Sequence, residues 1–352
     1  MTSPQSILRV VDANLNRLGE GLRLLEDIAR LLLNDAALTG KLKTMRHELI
    51  SGDLSFNQQL IRFRSSETDV GMDIEVLGME KERNLPLLVV ANSRRAQESL
   101  RTLEEVAKMP GIPLKLDSDK FKHARFELYT IEQELLSKLT RNEKVKRISG
   151  LYVIIDTQAL KGRSHIGVAN QVIRGGARII QLRDKLLTKK ELLPIAQELK
   201  DLCSKHNVLF IMNDYLDIAL ACEADGLHIG QDDLPVKVAR KLLPVEMLLG
   251  CSAKTVEEAV TAVTDGADHI GIGAIYPTGS KERAEVVGLE GLRRVRQAVS
   301  VPLVALGGIT GDNCCEVIAA GADSVAVINA VLGATSCEAA VRQIIKSLKG
   351  EK

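Results

Sequence analysis

Acids and amides stand at the ends of two apolar runs between Ile211 and Asp233. "IMND" delivers Asn213-Asp214, and "GLHIGQDD" delivers Gln231-Asp232-Asp233. A third run, "RIIQLRDK", ends in Gln181, Arg183 and Lys185, which alternation puts on one face with two cations among them. Later run ends offer Ser252 ("GCSAK"), Thr278, Ser280 and Lys281 ("IYPTGSK"), a glycine pair ending in Gly308 ("LGGIT"), and Ile328-Asn329 ("VINA"). Hard carboxylates facing cations suit Mg²⁺ bridging to a polyphosphate, because the acids hold the ion while water and phosphate oxygens take its other positions. Plain Arg–Asp pairing at a rim is the alternative. Neither Asp214 nor Asp233 has a Cys or His at metal-ligand spacing, which speaks against zinc. The glycine pair, with a helix start nearby, could cradle a monophosphate on backbone N–H groups, and Thr278 and Ser280 could add hydroxyl donors; a tight turn needing glycine is the alternative. His228, inside an apolar run, reads as a packed core histidine rather than a catalytic one. No nucleophilic triad or nucleotide-type glycine loop is present. Two anion sites with one metal fit a transferase that joins a pyrophosphate-activated fragment to a phosphorylated acceptor.

These residues need strands to line them up at one end. From Gly150 onward eight apolar, β-branched runs alternate with helical patterns: "LYVIID", "RIIQLRD", "LFIMND", "GLHIG", "MLLGCSA", "HIGIGAIYP", "PLVALGGI" and "SVAVINA". Near-continuous apolarity marks a parallel sheet covered on its outer face. Eight such units in residues 150–352 predict an α/β (β/α)₈ TIM barrel, whose chemistry would sit at the C-terminal strand ends; a doubly wound open sheet is the alternative.

Residues 1–140 follow a helical rhythm and predict an all-α domain. Leu15, Leu18, Leu22, Leu25, Ile28 and Ala29 fall on one stripe. "ANLNRLGEGLRLLEDIA" from Ala13 aligns with "ANSRRAQESLRTLEEVA" from Ala91, an internal repeat, and each copy is followed by a second helical segment carrying Arg46-x-Glu48 or Arg125-x-Glu127. Two helical hairpins from a duplicated unit would form a bundle. Arg17, Glu20 and Arg23 stand at i, i+3 and i+6 and could pair along one surface as a stabilising network; a ligand pocket between the halves is the alternative. "RSSETDVGMDIEVLGMEKERN" between the copies reads as a loop, either a lid or a connection. Residues 141–149 read as a polar linker.

Composition excludes several partner classes. The 352 residues carry 47 basic and 46 acidic side chains, net +1, with 3% aromatics and no Trp, which argues against nucleic acid. No apolar run is long enough to span a bilayer, and "MTSPQSILRVVDANLNR" lacks the pattern of a signal peptide. The six cysteines form no C-x-x-C pair and read as buried thiols in a reducing, cytoplasmic compartment. Oligomeric state, including a homo-oligomer, is left open.

From Gly150 to the C-terminus the chain resembles thiamine-phosphate synthase. "YVIID", "IIQLRDK", "MNDYLDIALACEADGLHIGQDD", "GCSAKT", "GIGAIYPTGSK", "LGGIT" and "VAVINA" match that family's motifs in order. The resemblance implies that Gln181, Arg183 and Lys185 contact a pyrimidine diphosphate, with Asn213, Ser252 and Lys281 adding contacts. It implies that Asp214 and Asp233 bind Mg²⁺, and that Thr278, Ser280, Gly308 and the backbone at Ile328-Asn329 hold a thiazole phosphate. Asn329 stands where the family usually has Ser, which matters little if the contact is a backbone N–H. Arg183, Lys185 and Lys281 would stabilise the departing pyrophosphate in a dissociative coupling of the two small-molecule substrates. The related thiazole tautomerase shares the barrel but would not need Asp214, Asp233 or the cations of "QLRDK". The N-terminal half resembles the helical ThiD2 module fused ahead of this synthase in some bacteria, implying either a hydroxymethylpyrimidine phosphate kinase or a non-catalytic scaffold; no P-loop is present.

Overall fold

The computed structural model describes residues 4–50, 54–62, 84–110, 116–278 and 285–350. Ser280, Lys281 and nearly all of the loop between the repeat copies therefore lie outside the described residues. The chain divides into two compact units, Met1–Thr140 and Arg141–Lys352.

In the first unit, α1 (Pro4–Asp27) is continued by a π-helical turn at Ile28–Leu32. It is followed by α2 (Ala36–Ile50), α3 (Leu54–Arg62), α4 (Leu85–Ala107) and α5 (Ser118–Lys146). All six residues of the anticipated stripe are buried, in one apolar cluster with Leu100, Leu103, Leu128 and Leu135. Helices α1 and α4, the two repeat copies, pack closely at Gly21, where a Cβ would come within 3.1 Å of the Asn92 carbonyl oxygen.

The duplication survives in the side chains. Asn14 Nδ2 donates to the Val10 carbonyl and Asn92 Nδ2 to the Leu88 carbonyl, both at 2.8 Å. Buried Glu26 accepts from Arg46 Nε at 2.9 Å, and buried Glu104 accepts from Arg125 at 3.0 Å. Each copy thus places one carboxylate in its core and satisfies it with an arginine from the following helix. Burial works to raise the Glu104 carboxyl, but Lys108, Arg125 and Arg101 prevail and hold it at about 2. A stabilising network is present, with partners other than those expected. Arg23 pairs with Glu26 at 3.5 Å and Asp27 at 3.4 Å, whereas Arg17 and Glu20 are exposed and enter no ion pair among the described residues.

Residues 141–149, expected as a linker, are helical as far as Lys146. Within the second unit Arg141 pairs with Asp268 at 3.4 Å and Lys144 with Asp225 at 3.3 Å, while Val145 and Ile148 join an apolar cluster inside the barrel. The polar character that suggested a linker is the set of charges that meets these acids.

That barrel comprises β1 (Gly150–Asp156), β2 (Ile179–Arg183), β3 (Leu209–Asn213), β4 (Gly226–Ile229), β5 (Leu248–Ala253), β6 (His269–Ile272), β7 (Leu303–Leu306) and β8 (Ser324–Val327). The strands are all parallel and close in chain order, with Leu151 of β1 opposite Val325 of β8. Closure rules out the open sheet. Tyr152, Ile154, Ile179, Leu209, Ile211, Leu248 and Val304 point inward as one cluster, and the outward set packs beneath the surrounding helices. Asp225, Asp268 and Asp323, each just before a strand, accept the backbone N–H of Phe210, Leu249 and Leu303 at 3.0, 2.8 and 2.8 Å. These bonds tie neighbouring strands at the N-terminal end and leave the opposite end for chemistry. Five cysteines are buried, as expected; Cys315 is exposed.

Candidate active site

Period-two alternation aims Tyr152, Gln181 and Asn213 into the barrel from three adjacent strands. Tyr152 Oη donates to Gln181 Oε1 at 2.7 Å, and Gln181 Nε2 donates to Asn213 Oδ1 at 2.7 Å. This buried relay fixes both amides, so their remaining polar atoms have set directions.

One step further along β2, Arg183 reaches across to Asp156 at the end of β1. Asp156 also accepts the Ala159 N–H at 3.1 Å, capping the short helix Thr157–Leu160. Lys185 Nζ lies 2.5 Å from Asp214 Oδ2, and that contact raises the lysine pKa. Both described cations therefore carry a carboxylate partner, the rim pairing weighed from the sequence.

Asp214 follows β3 in the left-handed region (φ 63°), a conformation Asp tolerates better than most residues. Its N–H donates to the His228 carbonyl at 2.8 Å, fixing the turn to β4. Asp233 Oδ2 accepts the Gly230 N–H at 2.7 Å, which folds the loop after β4 back toward the strand end, while Asp232 is exposed. The two carboxyl groups meet. Burial, helped by Asp233, pushes Asp214 up against the opposing pull of Lys185; Asp233 is lowered despite burial by the Gly230 N–H, Asp214 and Lys185. Two acids sharing a site, one of them pushed up by burial and by the other, form a donor set suited to a hard divalent cation. No third His, Cys, Asp or Glu completes a cluster among the described residues, so a Mg²⁺ ion here would keep positions for water and phosphate oxygens.

On the other side of the mouth, Gly307 and Gly308 take φ of 95° and 66°. A Cβ on Gly308 would lie 2.8 Å from the Pro277 carbonyl oxygen and one on Gly307 2.7 Å from Ala274, so glycine lets the loop after β7 lie against the loop after β6. The bonds Ile275 N–H to Leu306 O (2.9 Å) and Tyr276 N–H to Gly307 O (3.0 Å) zip them together. Thr278 is half-buried at the end of that loop. Leu306 is opposite Ala326, so Gly308 and Ile328 leave the same end of adjacent strands, and Asn329 opens the helix Asn329–Leu332.

His228 proves to be more than packing. It is 9% exposed inside the barrel, and its Nε2 is 2.9 Å from Ser252 Oγ. Three further residues here escaped the sequence reading. Tyr152 and Asp156 alternate within "LYVIID" on the face of Ile154, a signal hidden by counting the run as apolar. His269 begins β6, at the strand end opposite to the barrel mouth. Gln231 Nε2 donates to the Ser252 carbonyl at 2.6 Å, tying the loop after β4 to β5.

Comparison with known proteins finds relatives of both units. The family model for thiamine monophosphate synthase matches residues 151–331, and the ThiD2 family model matches residues 9–134. A thiamine-phosphate synthase of Thermosynechococcus vestitus is 34% identical over 348 residues, 98% of this chain and 95% of its own length. One from Methanospirillum hungatei is 50% identical over 195 residues, 55% of this chain and 95% of its own. The solved thiamine phosphate pyrophosphorylase of Pyrococcus furiosus is 37% identical, with a TM-score of 0.55 over 59% of this chain and 98% of its own. The family models, the full-length relative and the closed barrel converge: the chain belongs to the thiamine monophosphate synthase family, with a ThiD2-family helical unit ahead of the barrel.

Proposed function

We propose that the barrel mouth condenses 4-amino-2-methyl-5-hydroxymethylpyrimidine diphosphate with thiazole phosphate, giving thiamine phosphate and pyrophosphate, and that Asp214 and Asp233 hold the Mg²⁺ this transfer uses. The carrying observation is the cluster Lys185–Asp214–Asp233, an acid pair and a half-exposed cation at adjoining strand ends. Bound Mg²⁺ would supply charge to the leaving diphosphate. Arg183 and Lys185 bind the same diphosphate when they leave Asp156 and Asp214 for it, and Lys281 adds a third cation. Gln181 and Asn213, held by Tyr152, orient the pyrimidine with neutral amides and offer no nucleophile that could capture the cation formed as pyrophosphate departs. Thr278, Ser280, Gly308 and the Ile328-Asn329 backbone hold the thiazole phosphate so that its ring nitrogen faces, and bonds to, the pyrimidine methylene carbon whose C–O bond breaks to release pyrophosphate. The work is positioning and charge stabilisation; no general base is required.

The acid pair and the cations Arg183 and Lys185 favour coupling over thiazole isomerisation, which needs neither. In the helical unit the repeated Glu and Arg serve the fold, an arrangement that favours a scaffold over a kinase. No described helix is long and apolar enough to cross a membrane, and cysteines without a disulfide suit the cytoplasm. Titration calorimetry with inorganic pyrophosphate tests the metal assignment. Binding should require Mg²⁺ and vanish in Asp214→Asn; Mg²⁺-independent binding, or binding unchanged in the variant, would refute it.

A further inference from the structure

His269 is fully buried at the start of β6, and its Nδ1 has no hydrogen-bond partner among the described residues. Its Nε2 lies 3.5 Å from His228 Nδ1, and His228 Nε2 lies 2.9 Å from Ser252 Oγ, so three side chains from β6, β4 and β5 form a line leading to the mouth. Glycines make the room. A Cβ at Gly250 would sit 2.2 Å from His269 Nε2 and 2.5 Å from His228 Nδ1, and one at Gly271 would sit 3.0 Å from His228 Cε1. Two backbone positions have given up a side chain so that these rings can meet.

Burial, with His228 adding to it, pushes His269 down to about 3, so the ring is neutral near pH 7 and carries a single N–H. Were that proton on Nδ1, a buried donor would have no acceptor, the rarer and costlier kind of orphan. The proton therefore sits on Nε2, which donates to His228 Nδ1. Because His228 accepts at Nδ1, its own proton is on Nε2 and donates to Ser252 Oγ. The serine hydroxyl, approached from behind by a donor, has its own hydrogen left to give. The direction of the whole line is set at its buried end.

We propose that His269 is a positioning residue: it fixes the tautomer of His228 and thereby makes Ser252 a hydrogen-bond donor to the anionic diphosphate substrate. This rests on the assignment of Ser252 to the diphosphate site. A neutral hydroxyl can turn either way, and an anion rewards only the donating orientation.

The test uses the full chain with ¹⁵N-labelled histidine, read by ring-nitrogen NMR and by steady-state kinetics. In the unaltered protein His228 should be the Nε2–H tautomer. His269→Phe fills the space without a donor and should both lose that tautomer preference and raise KM for the pyrimidine diphosphate about tenfold. His269→Gln keeps a donor and should stay within about threefold of the unaltered KM. His269→Phe combined with Ser252→Ala should be no worse than Ser252→Ala alone. An Nδ1–H His228 in the unaltered protein, or a His269→Phe protein with tautomer and KM unchanged, would overturn the proposal. If Ser252→Ala itself leaves KM unchanged, the site assignment fails; if it raises KM while His269→Phe does not, only the relay fails. Should His269→Phe not fold, the tautomer of the unaltered protein and the kinetics of His269→Gln decide.

Discussion

Acid should loosen the barrel through His269, and the size of the effect follows from its burial. The ring titrates at about 3 when folded against 6.5 when exposed. Because the folded value is the lower one, the unfolded chain takes up the proton first, and stability present above pH 6.5 is lost as pH falls toward 3. Each pH unit in that window costs about 1.4 kcal/mol, so at pH 5 the loss is about 2 kcal/mol. His269→Phe removes the titrating group, and the variant should lose about 2 kcal/mol less than the unaltered protein between pH 7.5 and pH 5. Buried thiols give an assay confined to this unit, since Cys203, Cys222 and Cys251 lie in the barrel and become alkylatable only when it opens. Urea titrations with pulsed alkylation at the two pH values then give the barrel's own stability. If both proteins lose the same amount to within ~0.5 kcal/mol, His269 is not buried and neutral, and the reasoning fails.

Arg46→Ala leaves buried Glu26 with only the half-exposed Arg23 as a partner and should destabilise the helical unit by about 1–3 kcal/mol, with Arg46→Lys recovering part; thermal melts of the full chain would show this. Glu104→Gln should be less stable than the unaltered protein at pH 7, and the difference should shrink as pH falls from 4.5 toward about 2, where the native carboxylate is protonated. Gly250→Ala drives a methyl into both imidazoles and should cost at least about 1–3 kcal/mol along with most activity, read as a lower melting temperature and reduced turnover.

Much of the barrel was legible because its strands are apolar on both faces and change character at their ends. Asn213-Asp214 and Gln181-x-Arg183-x-Lys185 announce themselves where hydrophobic runs stop. Tyr152, Asp156 and His269 did not, because each sits inside or at the start of a run and matters through contacts with another strand. No local pattern reveals that His269 lies against His228, 41 residues away. The space comes from Gly250, an ordinary-looking glycine in "LLGCSA". In the helical unit the repeat was plain, yet spacing along one helix suggested Arg17–Glu20–Arg23 pairing. Glu26 and Glu104 instead take arginines from the following helices, since a buried carboxylate needs a partner that reaches into the core. The same limitation hid the end of α5, whose charges look like a linker until Asp225 and Asp268 are seen facing them.

The most direct test supplies the full-length chain with Mg²⁺, the pyrimidine diphosphate and thiazole phosphate, and follows thiamine phosphate itself, with EDTA and Asp214→Ala alongside. Product should form, and should be abolished by the chelator and reduced at least about a hundredfold by the substitution. A folded protein that makes no product, or one whose rate is indifferent to both EDTA and Asp214→Ala, would contradict the assignment of this barrel mouth.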